Sequence, residues 1–259
     1  MIVVAAVAGP VLIGIDPNSI DVTARMQSPS AEHLLGTDSL GRDLLARLLQ
    51  GARVSLMICL AAVTLATLIG SLIGIVSGYI GGVVDLFAAR LIDLFFAIPT
   101  LLVAIAVVAA LGPSILTTIV AIATAYSPTY ARVIRGAVVS VRDRPFVESS
   151  RVAGASTSRI LRLDIVPAIR PVMIVQSTAL VGAALIDEAA LGFLGLGVQP
   201  PTSSWGSLLS ASRDVLLFHP GLALIPGLAV VVTVIASNLI GEGIRAAGDP
   251  RLAQRGAEA

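Results

Sequence analysis

Apolar residues occur along this chain in long blocks, and polar residues gather in the stretches between them. A helix needs about 20 apolar residues to cross the hydrocarbon of a membrane. Blocks of that length with few charges predict membrane-spanning helices, because the amphipathic helices of a soluble core would carry polar residues on every turn. The predicted spans are 54–78, 84–111, 115–134, 171–193 and 220–240.

A shorter apolar block opens the chain. Residues 1–15 would reach only about 22 Å as a helix at 1.5 Å per residue. No positively charged region precedes them, as one would in a secretory signal peptide. We interpret 1–15 as a partial first span whose other half would precede Met1. Spans two to four then occupy 54–134, and spans five and six occupy 171–240.

Two polar stretches, 16–53 and 194–219, connect predicted spans and are too polar to be spans themselves. Leucines at 44, 45, 48 and 49 follow Asp43 at helical spacing, which predicts an amphipathic helix along the membrane surface. Trp205 lies in the second stretch, and we expect it at the boundary between lipid and water, where tryptophan is enriched.

Glycine recurs at every fourth position of the second span, at Gly70, Gly74 and Gly78. Such a stripe removes the side chains from one helix face, so a neighbouring helix can approach closely. The pattern predicts tight helix packing and carries no information about a particular function.

The most polar region within the apolar part of the chain is 135–170, which holds seven Arg against three acidic residues. Its composition predicts two short helices joined by a turn. The first would cover 142–153, and Gly154 would supply a backbone conformation that costs other residues more. Ser156 would cap the second helix, and Pro167 would end it because proline lacks an amide donor.

A rigid pair of helices outside the membrane is suited to transmitting force from a partner protein to the attached spans. A solvated, positively charged loop without a partner would have the same composition. The residues of 135–170 alone leave both interpretations open.

Arginine bias predicts the orientation in the membrane, because short loops rich in basic residues stay on the cytoplasmic side. The 135–170 loop is strongly basic, and the tail at 241–259 adds three arginines. With six alternating spans, this loop and both termini are expected in the cytoplasm. The stretches 16–53 and 194–219 are then expected outside.

Composition agrees with a membrane protein and excludes several functions. The chain is 56% hydrophobic and 13% charged, whereas soluble domains have about a quarter charged residues. All 17 basic residues are Arg, so the Lys that a Walker A phosphate loop needs is missing, and any ATP must bind elsewhere. Cys59, His33 and His219 do not form a metal-ligand pattern. Since no catalytic constellation is recognisable either, we expect a protein that is not an enzyme.

One segment of the polar loop resembles a known motif. Glu148-Ser149-Ser150, followed by Gly154 and then by Ile165-Val166-Pro167, is similar to the EAA loop of ABC importer permeases, written E-A-A-x-x-x-G with a downstream L-P. The sequence departs from that pattern by two serines in place of alanines, by Asp164 in place of an apolar residue, and by Val166 in place of Leu.

Further segments extend the resemblance over nearly the whole chain. They are similar to the C-type permease subunit of dipeptide, oligopeptide and nickel ABC importers. The segments are Leu35-Gly36-Thr37-Asp38-Ser39-Leu40-Gly41-Arg42-Asp43, Gly78-Tyr79-Ile80-Gly81-Gly82, Phe193-Leu194-Gly195-Leu196-Gly197-Val198-Gln199-Pro200-Pro201 and Asp249-Pro250-Arg251.

The resemblance implies the all-α fold of type I ABC importer permeases, with about six transmembrane helices in a single domain and a short first helix. It implies a bacterial plasma (inner) membrane location and four kinds of partner: a second, homologous permease subunit in a heterodimer, two cytoplasmic ATPases that bind the ATP, an extracytoplasmic solute-binding protein, and lipid. No cofactor on this chain and no nucleic acid are implied. The residues expected to dock on an ATPase are Glu148, Ser149, Ser150, Arg151, Gly154, Ala155 and Pro167.

Polar side chains within the predicted spans are candidates for the substrate path, because charges at membrane depth usually face a cavity or a partner. These candidates are Asp93, Gln176, Asp187 and Glu188. A structural role would account for them equally well: Arg90 and Asp93 are three residues apart and can pair on one helix face, and Gln176 can bond to another helix.

Other functions remain as alternatives. A secondary transporter or channel would place its coupling charges near the bilayer midplane on broken helices, and its function would not need a long basic loop. A membrane-embedded enzyme would need paired catalytic groups. Among substrates, the lack of a His or Cys cluster favours peptides, while nickel complexes and other small solutes stay possible.

Overall fold

The computed structural model describes residues 14–247, which are helical apart from one isolated bridge between Thr37 and Asp43 and the connecting turns. The expected all-α fold is therefore confirmed for this range. The helices are α1 (Leu44–Ile80), α2 (Gly82–Phe96), α3 (Thr100–Leu111), α4 (Ile115–Val141), α5 (Pro145–Val152), α6 (Thr157–Phe193), α7 (Trp205–Ala211) and α8 (Gly221–Ala247). Single 3₁₀ turns lie at Val22–Ala24 and Arg213–Val215.

By length and composition, three helices of the described range can cross a membrane: α1, α6 and α8. A fourth crossing is possible if α2 and α3 count together, but these two helices meet at an angle of 88°. The predicted span 84–111 is thus not one helix. Pro99 explains the break, because it lacks an amide donor and disfavours helical backbone at the residue before it. The predicted first span, 1–15, lies almost entirely outside the described residues.

Helix α4 begins where the span 115–134 was predicted and continues to Val141. By length and composition it is not among the helices that can cross a membrane, since Thr, Tyr, Ser and Pro occupy its centre. Its side chains are instead largely buried within the protein. The buried ones include Ala121, Ile122, Ala123, Ala125, Tyr126, Ser127, Tyr130, Ala131, Ile134 and Val138.

The predicted surface helix after Asp43 does not exist as a separate element, because α1 runs unbroken from Leu44 to Ile80. Asp43 starts this helix: its Oδ1 accepts the backbone N–H of Ala46 at 2.8 Å, as an N-cap carboxylate does. Its Oδ2 lies 2.9 Å from His33 Nδ1. Leu44 is buried in the protein, and Leu45, Leu48 and Leu49 are half-buried, so these leucines pack at least in part against the protein.

The chain forms two compact units. The first contains the described residues up to Ala62, together with Ile105–Ala121 and Ala183–Ile235. The second contains Val63–Ala104, Ile122–Gly182 and the described residues from Ala236 onwards.

In the first unit, a tight loop precedes α1. Asp38 organises it by accepting the backbone N–H groups of Leu40 (2.8 Å) and Arg42 (3.0 Å) on one carboxylate oxygen. The other oxygen accepts Arg42 Nε at 2.7 Å. Gly41 has φ +77° and packs against the Asp21 carbonyl, where a side chain would collide. The segment 35–43 thus has a structural reason for its Gly and Asp residues.

Trp205 packs inside the same unit, so its side chain contacts protein, a surrounding that the expected position at the membrane interface did not indicate. Its ring is only 2% exposed, and its Nε1–H donates to the Leu48 carbonyl at 3.1 Å. Ser204 and Ser207 cap α7 reciprocally. The Trp205 backbone N–H donates to Ser55 Oγ of α1 at 3.1 Å, which fixes the start of α7 against α1. Gly51 leaves room for the indole, since a Cβ there would lie 3.2 Å from the ring.

In the second unit, the glycine stripe of α1 packs against α4, as predicted. A Cβ at Gly70 would lie 2.8 Å from the Ser127 carbonyl oxygen, and one at Gly74 would lie 2.7 Å from that of Ala131. At Gly78 the corresponding distance to Val138 Cβ is 2.9 Å. The two backbones touch, so no larger residue fits at these positions without a shift.

Candidate functional site

The centre of the polar loop is the short helix α5. It begins with Pro145 at its first position, where the missing amide costs nothing because that amide would be unpaired anyway. Val147 is completely buried and anchors the helix to the protein. Phe146 and Val152, by contrast, are apolar side chains of the same helix that are exposed.

Gly154 ends α5 with φ +78°, which confirms the special conformation predicted for it. The N–H of Gly154 donates to the Arg151 carbonyl, and the N–H of Ala155 donates to that of Ser150, both at 3.0 Å. This pair of hydrogen bonds is a Schellman motif, which satisfies the last carbonyls of a helix and favours glycine at the left-handed position. The spacing from Glu148 to Gly154 therefore describes one short helix and its cap.

The second helix of the loop differs from the prediction. Ser156 does occupy the N-cap position, but its side chain makes no capping hydrogen bond. The helix also does not end at Pro167, because α6 continues to Phe193. A π-helical turn at Leu161–Ile165 precedes the proline, and the Val166 N–H donates to the Leu161 carbonyl. This wider turn changes the hydrogen-bond register just before Pro167, so the helix tolerates the missing amide.

Most predicted docking residues lie together on α5. Glu148 and Arg151 are largely exposed and pair at 3.6 Å, and Ser149 Oγ donates to the Pro145 carbonyl at 2.9 Å. A shallow, open depression of about 550 Å³ is lined by Pro145, Glu148, Ser149, Val152 and Ala153. Gly154 and Ala155 adjoin it in the cap, whereas Pro167 lies apart from α5 on an exposed part of α6.

Tyr79 is a contact that the sequence did not reveal. A hydrogen bond with its hydroxyl raises the pKa of the Arg151 guanidinium above its ordinary value, and Glu148 contributes in the same direction. In the sequence, Tyr79 stood out only as part of segment 78–82, which resembles the permease family. That resemblance did not indicate an interaction with Arg151. Tyr79 and Glu148 are therefore both close enough to the Arg151 side chain to interact with it.

Asp93 pairs with a different residue from the one expected. Its Oδ1 accepts Arg132 Nη2 at 2.6 Å, so the partner is on α4 and the predicted pair with Arg90 is wrong. The Arg132 guanidinium also lies 3.7 Å from the centre of the Phe96 ring, a cation–π arrangement. The contact joins α2 to α4 and explains Asp93 as a structural residue.

The other candidates for a substrate path divide between the two units. Gln176 is half-buried in the second unit. Asp187 and Glu188 belong to the first unit, and both are buried. Ser55 and Ser204 are close enough to Glu188 for their hydroxyl groups to interact with it. Among residues 14–247, however, neither carboxylate oxygen of Glu188 has a hydrogen bond of good geometry.

Close backbone packing explains how Glu188 becomes enclosed. A Cβ at Gly192 would lie 2.8 Å from Gly206 Cα, and one at Gly206 would lie 2.7 Å from the Ala189 carbonyl oxygen. The end of α6 and the start of α7 therefore touch along their main chains. This contact accounts for Gly192 in α6 and Gly206 in α7.

A comparison with protein families decides what kind of protein carries these features. The profile described as "Binding-protein-dependent transport system inner membrane component" matches residues 70–254. The chain belongs to this family. It is thus a multi-pass inner-membrane component of a transport system that depends on a binding protein.

Curated relatives agree with this assignment. The chain is 44% identical over 227 residues to the di/tripeptide transport system permease protein of Pseudomonas aeruginosa (strain UCBPP-PA14), which covers 88% of this chain and 75% of the relative. It is 39% identical over 250 residues to the dipeptide transport system permease protein of Alkalihalophilus pseudofirmus (strain ATCC BAA-2126 / JCM 17055 / OF4), covering 96% and 82%.

A solved structure shows the same fold. A chain of the MetNI methionine ABC transporter, in an inward-facing conformation, matches with a TM-score of 0.65 and 18% identity, covering 78% of this chain and 95% of that chain. The fold is therefore that of ABC importer permeases, as the sequence predicted.

Proposed function

We propose that this chain is a permease subunit of an ATP-driven importer of short peptides, and that it forms half of the translocation path. The names of the two relatives support the substrate class, since both transport dipeptides or tripeptides. The other half of the path would be a second, homologous permease subunit in a heterodimer. A solute-binding protein would deliver the peptide from outside the cytoplasm.

The geometry of α5 supports a docking role for the polar loop. It is a short, capped helix with exposed apolar side chains, and it joins α4 to α6 through turns of only a few residues. A partner that grips α5 would therefore move both long helices. We propose that one of two cytoplasmic ATPases docks there, that ATP binds to those subunits and that this chain is non-catalytic.

Orientation in the membrane is part of the same proposal. Docking on a cytoplasmic ATPase requires 135–170 to face the cytoplasm, where the excess of arginine also favours it. The chain termini are proposed to lie on that side as well.

The proposal is tested by Gly154→Leu in the complex of both permeases, both ATPases and the binding protein, reconstituted in proteoliposomes. A larger residue at φ +78° would strain the Schellman cap and project from the docking surface. We expect ATP-dependent uptake of a labelled dipeptide to fall at least about tenfold, with fewer ATPase subunits co-purifying.

Gly112→Leu is the matched control. Gly112 has φ +83° and, like Gly154, no atom within 4 Å of an added Cβ, but it lies in the turn between α3 and α4. The two substitutions therefore impose the same backbone strain at different places. Equal losses of uptake from both variants would contradict a docking role for α5, and dipeptide-independent uptake of a nickel complex would contradict the substrate class.

A further inference from the structure

Three arginines near the C-terminal end of α4 contact α1 and α2. Arg132, Arg135 and Arg142 are separated by three and seven residues, so at 3.6 residues per turn they lie on one side of the helix. Arg142 follows the last residue of α4, but its N–H still donates to the Val138 carbonyl at 2.9 Å and continues the helical pattern. All of these contacts lie within the second unit.

Arg135 makes the most specific of the three contacts. Its Nε binds Asp85 Oδ1, and its Nη2 binds Asp85 Oδ2 at 2.7 Å. Two parallel hydrogen bonds of this kind fix the angle between the groups as well as their distance. The pair is mostly shielded from water, with side-chain exposures of 32% for Arg135 and 20% for Asp85. It therefore holds α2 to α4 in a defined orientation.

Arg142 connects the same region to the end of α1. Its Nη1 donates to the Gly78 carbonyl at 2.8 Å. Gly78 lies in the last turn of α1, where helix carbonyls have no partner within the helix. The arginine supplies that partner, and the glycine stripe of α1 already presses this helix against α4.

The third contact is weaker. Arg132 and Asp93 are joined by a single hydrogen bond, and their side chains are 46% and 58% exposed. One hydrogen bond holds the two side chains less firmly than the two parallel hydrogen bonds of the Arg135–Asp85 pair. The Arg132–Asp93 pair is consequently a suitable control for the Arg135–Asp85 pair, because both join α2 to α4.

The turn between α4 and α5 is short and hydrogen-bonded. The Arg144 N–H donates to the Val141 carbonyl at 3.0 Å, and the Val147 N–H donates to the Arg144 carbonyl at 2.9 Å. A displacement of α5 therefore moves α4 as well, because the turn between them is short and fixed. Whether α1 and α2 move with α4 then depends on their contacts with α4.

We propose that Arg135 and Asp85 are positioning residues that make α2 move together with α4 and α5 when a partner displaces α5. The proposal rests on the proposed function of α5 as an ATPase-docking helix. Neither residue touches the transported solute in this role. Without the pair, α5 and α4 would still move, but α2 would follow them only through weaker contacts.

A transport assay measures this coupling. In the reconstituted complex, Asp85→Asn removes the hydrogen-bonded charge pair with Arg135. We therefore expect dipeptide uptake to fall about fivefold, while ATP hydrolysis stays near the wild-type rate. The charge swap Asp85→Arg with Arg135→Asp is expected to recover most of the uptake. Asp93→Asn, the control, should change uptake less than twofold. A loss of uptake and ATP hydrolysis in equal proportion would overturn the proposal.

A distance measurement tests the same pair without transport. Val83 on α2 and Val152 on α5 are exposed, and spin labels can be attached to Val83→Cys and Val152→Cys after Cys59→Ala removes the only native cysteine. The distribution of label distances should be narrow in the parent and in Asp93→Asn, and clearly broader in Asp85→Asn. An equally narrow distribution in Asp85→Asn would overturn the proposal.

The two measurements separate this inference from the proposed function. Absence of uptake by the wild-type complex would contradict peptide import, but it would leave the distance distributions interpretable. If Asp85→Asn shows normal uptake and an unchanged distribution of label distances, only the proposed role of the Arg135–Asp85 pair is contradicted.

Discussion

Trp205 is the single tryptophan of the chain, and its side chain is 2% exposed. We predict that Trp205→Ala lowers the free energy of unfolding by about 3–5 kcal/mol, the usual cost of removing a buried aromatic side chain. The loss of the hydrogen bond to the Leu48 carbonyl lowers the unfolding free energy further, in addition to the effect of the cavity. The measurement is thermal unfolding of the purified chain in nanodiscs.

Phe218→Ala is the control for this residue, because Phe218 is 81% exposed. Its removal should change the unfolding free energy by no more than about 0.5 kcal/mol. Similar effects from the two substitutions would show that the burial of Trp205 does not stabilise the first unit.

Single residues also show where sequence reasoning works. The conformation of Gly154 was predictable, because a glycine directly after a polar helical segment commonly adopts the left-handed backbone that ends a helix. The burial of Trp205 was not, since an amphipathic ring is suited to a membrane interface and to a protein core. The partner of Asp93 was missed because Arg132 is distant in sequence, and only the packing of α2 on α4 brings them together.

At the scale of helices, the contact of α1 with α4 gives a direct test. Gly74→Ala would place a Cβ 2.7 Å from the Ala131 carbonyl oxygen, so the two helices must separate. We expect a loss of about 1–3 kcal/mol in unfolding free energy, as for other overpacked sites. Thermal unfolding measures it.

Gly136→Ala provides the same chemical change without the contact. Gly136 lies within α4, and no atom would approach an added Cβ within 4 Å. Alanine there should be neutral or stabilising by up to about 1 kcal/mol, because glycine is a poor helix former. If Gly74→Ala were equally harmless, the glycine stripe would not determine the packing of α1.

Helix boundaries were harder to predict than helix existence, and prolines account for much of the difference. Pro99 breaks the apolar block 84–111, whereas Pro167 and Pro171 lie within α6. Whether a proline ends a helix depends on whether the neighbouring backbone can accommodate the missing amide. The π-helical turn at Leu161–Ile165 does this for Pro167. That turn has no signature in the sequence, so the predicted end at Pro167 was wrong.

At the scale of the whole molecule, the question is on which side of the membrane the 135–170 loop and the 194–219 stretch lie. Among the described residues, the part of α6 from 171 to 193 is the only candidate span between the 135–170 loop and the 194–219 stretch. The two therefore face opposite sides of the membrane if α6 crosses it. The arginine excess of 135–170 favours a cytoplasmic position for that loop, which is the orientation proposed above.

Labelling of introduced cysteines tests this orientation. Val152 in the first loop and Leu217 in the second are both exposed, while Cys59 is fully buried and should not react. With a maleimide that does not cross membranes, we expect Leu217→Cys to react in intact spheroplasts and Val152→Cys to react only after permeabilisation. The unsubstituted chain reports the background from Cys59. Labelling of Val152→Cys in intact spheroplasts would contradict a cytoplasmic docking surface, because the ATPases could not reach α5 from that side.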